Sequence, residues 1–228
     1  MQIGVDSKHK LIVTHEVTNA VTDRDQLSSI AKEAKVVLAC EQLEVVGDMG
    51  YAHGQEIKQC VDHGIPPYVP QPNTSANTKL GLFGKERFRY DAERDCYWCP
   101  AGEALGFRFQ THELERDIRY YTTTACGSCT LKAQCTRNQG NRRITRWVDE
   151  HVLEDMAQRV TARPDIMRQR QQIVEHPFGV MKHAFGHSYF LMRRLVKVRS
   201  EMSLTVLAFN MRRVINIVGV PRLLTAVA

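Results

Sequence analysis

A chain of 228 residues with 43% hydrophobic content is long enough to bury a real core, which excludes a disordered tail. Lys plus Arg exceed Asp plus Glu by 31 to 25, and the formal charge of +6 leans toward an acidic partner without proving one. No charged and then apolar leader opens the chain, and its most apolar late stretch, MSLTVLAFNMRRVINIVGV, is interrupted by Asn210, Arg212 and Arg213. That pattern argues against a secreted or membrane-spanning protein and for the cytoplasm. Seven cysteines, an odd count, fit thiols or metal ligation better than disulfides.

The opening MQIGVDSKHKLIVTHEVTN sets Ile3 and Val5, then Leu11, Ile12 and Val13, around the turn DSKHK. It reads as a β-hairpin whose first strand is clipped short at Met1. In DRDQLSSIAKEAKVV, Leu27, Ile30, Ala31 and Ala34 fall at helical spacing, with Asp23 or Asp25 to cap the start. The short strand LEVVG follows and ends on Asp48. GQEIKQCVDHG returns to helical spacing through Ile57, Cys60 and Val61, and Gly64 supplies a left-handed stop. IPPYVPQP reads as a strand closed by proline, so the stretch is βαβ-like, with Asp48 at the carboxyl end of a strand, where α/β sheets gather ligands.

From residue 71 to about 141 the texture changes to polar and glycine-bearing turns, short aromatic runs and five cysteines, which reads as a mainly β and loop insertion into an α/β core. Residues 142–228 read as mostly helical, broken at Pro164. A last helix from about Met202 to Val218 buries Val206, Phe209 and Val214 or their neighbours. The expected organisation is therefore 1–70 and 142–228 as core, with 71–141 inserted.

Several residues invite chemistry. An aspartate after a strand ordinarily caps the next turn, but a rigid sheet end also gives Asp48 the fixed position and hard oxygens that Mg²⁺ prefers. Glu175 lies on an expected helix beside Val174, Phe178 and Met181, with Lys182 two turns later on nearly the same face. This is either a solvent-facing pair or a metal ligand with a phosphate contact. Cys96 and Cys99 in CYWC, and Cys126, Cys129 and Cys135 in CGSCTLKAQC, provide two CxxC pairs suited to a tetrahedral structural Zn²⁺. On spacing alone either Cys96 or Cys135 is surplus; free thiols or an iron–sulfur cluster are the other readings. Basic runs at MRQRQQ, MRRLVKVR (with Arg193 and Arg194) and NMRR flank Glu175 and suggest a surface for a nucleic-acid backbone.

In this order, VDSKHKLIVTHEVTNAVTDRDQL, VVGDMGY, GIPPYVP, FRYDAERDCYWCPAGEAL, CGSCTLKAQC and IVEHPFGVMK resemble the DDE transposases of bacterial insertion sequences, specifically the IS1182-type group related to the IS4 and IS5 types. The resemblance runs through nearly the whole chain. It implies a ribonuclease-H-like α/β core with an insertion ahead of the last catalytic helix, and two aspartates and a glutamate holding two Mg²⁺ or Mn²⁺ ions. By that resemblance Asp48 is the second aspartate and Glu175 the glutamate. The resemblance also implies that Lys182 contacts double-stranded DNA at transposon ends and that Cys99, Cys126, Cys129 and Cys135 are the zinc ligands, with Cys96 an extra. The first aspartate would precede the hairpin, upstream of Met1. The expectation is thus an amino-terminally truncated, carboxyl-terminal portion of a transposase, with Asp6 a hairpin residue. Such a portion would have little strand-transfer activity alone and would associate with itself or with full-length transposase on the nucleoid. A non-catalytic DNA-binding remnant and a structural zinc protein are the alternatives.

Overall fold

The computed structural model describes residues 1–73 and 75–227. The chain forms two compact units, one of Met1–Gln71 together with the chain from Val152 onward, the other Pro72–His151.

The first unit opens with strands β1 (Gln2–Val5) and β2 (Ile12–Glu16), an antiparallel hairpin in which Gln2 pairs with Glu16 and Gly4 with Thr14. Asp6 organises the turn by accepting the Lys8 and His9 amides at 3.3 and 2.6 Å, the local bonding that makes Asp a turn residue. Gly4 is required by its neighbour: a Cβ there would stand 2.5 Å from Thr14 Oγ1.

Helix α1 (Leu27–Val37) buries Leu27, Ile30, Ala31 and Ala34. Its start differs from the sequence expectation. Asp23 instead accepts Gln2 Nε2 at 2.9 Å and Asp25 pairs with His53 at 2.7 Å. The Ser28 amide donates to Glu56 at 2.8 Å, so a carboxylate from the next helix meets the positive end of α1. Strand β3 (Val45–Val46) leads through the turn Met49–Tyr51 into α2 (Gly54–Asp62). Gly64, at φ +65°, releases the chain into β4 (Pro67–Tyr68), parallel to β3. Leu27, Ala31, Ile57, Cys60, Ile65 and Val69 form a core that Val152 and Met156 complete.

In the second unit α3 (Ala76–Lys79) precedes β5 (Arg89–Asp91), β6 (Cys96–Trp98), β7 (Ala104–Glu113) and β8 (Arg116–Thr122). Then come α4 (Lys132–Cys135) and β9 (Arg143–Trp147). The five strands form an antiparallel sheet in sequential order. The unit continues past Asn141 because Arg143 to Arg146 alternate between exposed and buried, the period of a half-buried strand. Its core joins Phe88, Tyr97, Leu105, Tyr121 and Ile144.

Helix α5 (Glu150–Ala162) returns the chain to the first unit. Pro164 occupies the first turn of α6 (Pro164–Gly179), where its missing N–H costs nothing. A π-helical turn, Val180–Ala184, precedes α7 (Leu195–Val218) and α8 (Val220–Val227). Met202, Val206 and Phe209 of α7 pack with Met181 and with Ile12 and Val17. Asn210 fastens α7 to β2, accepting the Ile12 amide at 2.9 Å and donating to its carbonyl at 2.8 Å. Among the described residues no single helix is long and apolar enough to cross a membrane.

Candidate active site

The first unit is a mixed α/β assembly, and Asp48 leaves the carboxyl end of β3 with both oxygens engaged. Oδ1 accepts the Gly50 amide at 2.9 Å, capping the turn that follows, and Oδ2 accepts from Arg170 of α6 at 2.7 Å. Asp48 is about half exposed and Arg170 largely covered, with Arg170 Nε buried and without an acceptor. Tyr51 stands beside them. Burial, reinforced by the charges of Asp23 and Asp48, pushes its hydroxyl up to about 12, so it stays protonated at neutral pH. Asp6 spends its carboxylate on its own turn.

Arg170 and Glu175 share α6. Five residues separate them, roughly 7.5 Å along the axis and about 140° around it. Arg170 therefore faces the same cleft as Ile166, Ile173, Val174 and Phe178, while Glu175 is exposed beside that face and accepts from Gln171 at 2.9 Å. His176 packs edge-on against Phe209 with its Nδ1 buried and unpartnered. Burial, then Lys10 and Arg213, holds its pKa below the ordinary value and favours the neutral ring. Lys182 is exposed on the π-helical turn. Arg193 and Arg194 are exposed ahead of α7, and Arg194 takes φ 71° with ψ 136°, a sparsely populated conformation that costs a non-glycine residue on the order of 1–3 kcal/mol.

In the second unit Cys99, Cys126, Cys129 and Cys135 line one small cavity of about 20 Å³, whereas Cys96 is buried within β6 away from it. Burial raises the Cys135 pKa, and the neighbouring guanidinium of Arg142 works against that. Arg142 donates to the Phe83 carbonyl at 3.2 Å, and its amide meets Cys126 Sγ at 3.5 Å. Cys60, in the first unit's core, is driven up to about 12 by burial and is an inert packing thiol. Among the described residues no group of three or more His, Cys, Asp or Glu side chains is drawn together to hold a metal ion.

Sequence reasoning gave Tyr51 no role and read Arg170 only as part of the basic run MRQRQQ, not as the partner of Asp48. Their only sequence signals are a basic residue one helical turn and one position ahead of Glu175 and an aromatic three residues after Asp48. It also missed Asp95, whose carboxylate gathers Tyr90, Tyr121 and Arg119 at 2.7 to 3.1 Å.

Residues 98–215, just over half of the chain, match the family described as Transposase DDE domain. That span contains the four cavity cysteines, Glu175, Lys182, Arg193 and Arg194, and leaves Asp48 outside. No curated protein and no solved structure matches the chain.

Proposed function

We propose, from the premise that this chain belongs to the transposase DDE domain family, that it is an IS1182-type DNA transposase polypeptide acting on double-stranded DNA at transposon ends. The family match carries this reading. The first unit corresponds to a ribonuclease-H-like core and the second to its cysteine-rich insertion. Asp48 and Glu175 are two carboxylates of the catalytic set, and the contact between β3 and α6 through Asp48 and Arg170 supports placing them on neighbouring elements.

As they stand, these carboxylates do not make a divalent-ion site. Asp48 is held by Gly50 and Arg170, and Glu175 by Gln171. Arg170 serves as the counter-charge of Asp48 and orients it at the strand end. Two-metal phosphodiester chemistry needs more oxygen ligands than Asp48 and Glu175 bring, so the chain by itself has little or no strand-transfer activity. Lys182, Arg193 and Arg194 are exposed cations suited to phosphate oxygens.

The four cavity cysteines fit a structural zinc by donor chemistry, since tetrahedral Zn²⁺ takes four thiolates. Such a centre carries two net negative charges, and Arg142 beside Cys135 is placed to offset them.

The test is processing of a duplex from the ends of the encoding element, in Mg²⁺ and in Mn²⁺, by the chain and its Asp48→Ala and Glu175→Ala variants. Strong joining activity abolished by Asp48→Ala would overturn the expectation of inactivity while upholding the assignment of Asp48. Salt-sensitive duplex binding that is unchanged in both variants, without cleavage, makes the chain a DNA-binding remnant. Tight zinc binding without duplex affinity removes DNA from the reading altogether.

A further inference from the structure

Beyond Glu175 the only acidic residue in the sequence is Glu201, while Lys182, Arg193, Arg194 and Lys197 crowd the stretch between those two carboxylates. All four cations are exposed. Among them, in the connection from the π-helical turn to α7, the chain runs Tyr189, Phe190, Leu191, Met192. These four large apolar side chains follow one another on the surface, with Leu191 77%, Tyr189 72% and Met192 53% exposed. Single exposed apolar residues are ordinary, but a contiguous run rimmed by charge marks an interaction site.

The run is clasped from behind. Glu201 reaches back from α7 and accepts the Leu191 and Met192 amides, both at 2.8 Å, so its charge is spent on the loop's backbone. His187, with Nδ1 4.0 Å from the same carboxylate, meets Phe190 edge-on with ring centroids 5.4 Å apart, and its amide donates to the Met181 carbonyl at 2.9 Å. Phe190, the least exposed of the four, is the foot of the loop, and Tyr189, Leu191 and Met192 stand out from it. Arg194 ends the loop at φ 71° and ψ 136°, a conformation that persists only where neighbouring contacts enforce it, and the Glu201 clasp lies two residues away.

We infer that Tyr189–Met192 is an apolar wedge that enters a base step of duplex DNA and kinks it, while the cations around it hold the flanking phosphates. The inference deepens the transposase reading and rests on it. Phe, Leu and Met are side chains that proteins insert between base pairs, and opening a step in this way costs stacking energy. A wedge whose backbone is already fixed by Glu201 gives up little further entropy on entering. Moving Leu191 and Tyr189 out of water and against the opened bases offsets the lost stacking. Phosphates are what a stretch with four exposed cations and one engaged carboxylate attracts. An anionic lipid surface offers the same charge above an apolar layer; membership of the transposase DDE domain family favours DNA.

The probe is a duplex from the ends of the encoding element, prepared as a set with 2-aminopurine at successive positions, whose fluorescence rises where its stacking is lost. Each duplex is titrated with the full chain and with a variant carrying Tyr189→Ser and Leu191→Ser together. Anisotropy reads affinity and its salt slope in parallel, and vesicles of phosphatidylcholine and phosphatidylglycerol serve as the lipid control. Both replaced side chains are largely exposed, so the circular dichroism of the variant should match that of the parent. The expected result is a severalfold rise in fluorescence confined to neighbouring positions and lost in the variant, with the same salt slope for both proteins because no cation has been removed. Salt-sensitive duplex binding with no rise at any position, or a rise that survives the double substitution, overturns the wedge and leaves the transposase reading standing. Absence of duplex binding removes that reading and the wedge with it. Vesicle binding that the double substitution abolishes, with the duplex signals unchanged by it, overturns the proposal by making lipid the occupant.

Discussion

Asp95 is the polar keystone of the second unit, and replacing it with Ala, Asn and Gly separates three contributions. Its carboxylate accepts from the Tyr90 and Tyr121 hydroxyls, both at 2.8 Å, and from Arg119 at 3.1 and 2.7 Å. Tyr121 is fully buried, so Asp95→Ala removes the charged acceptor of its hydroxyl and leaves only Tyr90 as partner, at a cost of roughly 1–3 kcal/mol. The Arg119 pair is partly solvated and adds only about 0–1 kcal/mol. Asp95 also sits at φ 49°, which Ala tolerates about 1 kcal/mol less well than Asp or Asn. The sum is on the order of 3 kcal/mol for Asp95→Ala, or about 15 °C in Tm for a unit of this size. Asp95→Asn keeps the backbone tolerance and one acceptor oxygen and should cost about half as much. Asp95→Gly removes the φ penalty but none of the others and should fall between them. Both tryptophans, Trp98 and Trp147, lie in this unit, so intrinsic tryptophan fluorescence in a urea titration reads its unfolding. A loss below 0.5 kcal/mol for Asp95→Ala, or equal losses for Ala and Asn, would refute the reasoning. The same carboxylate has a pH signature. Burial alone would raise its pKa, but Tyr121, Tyr90 and Arg119 together hold it below 3.8. Its stabilisation is therefore complete above that ordinary value and lost as the pH falls beneath it, an acid sensitivity that Asp95→Asn should remove.

Zinc content by elemental analysis should be about one per chain, should fall on replacing any of Cys99, Cys126, Cys129 or Cys135 by Ser, and should be indifferent to Cys96→Ser. Removing the metal with a chelator should lower the urea midpoint of the same tryptophan transition. Alanine at Lys182, Arg193 or Arg194 should weaken duplex binding and reduce the slope of log K against log salt by about one per residue, as measured by fluorescence anisotropy. Unchanged slopes would move the DNA surface elsewhere. In the first unit, Ile57→Ala empties a fully buried position and should cost about 2–5 kcal/mol, followed by circular dichroism at 222 nm. His176 is held below the ordinary 6.5 by burial, so its neutral form stabilises the fold above that pH and the benefit is lost as the pH falls through its folded value. His176→Gln should flatten the pH dependence of stability in that window.

What the sequence determined by itself is local. The hairpin around Asp6, the apolar spacing of α1, the stop at Gly64, the break at Pro164 and the burial of Val206 and Phe209 all follow from periodicity and turn chemistry acting within a few residues. So does the position of Asp48 at a strand end, where the ordinary turn cap foreseen for it is formed as well. The tertiary structure decided which distant partner each polar group meets. Asp23 and Asp25 were equally good local caps, yet Glu56, 28 residues away, took the start of α1 because α2 packs beside it. Strand β9 opens a segment read as mostly helical, because its alternating residues pair along β8. Spacing left Cys96 and Cys135 equivalent, whereas folding buried one in a strand and set the other against the cavity. Asp48 found Arg170 across 122 residues. Such pairings depend on which faces are brought together, and a spacing rule that reaches three or four residues carries no information about that.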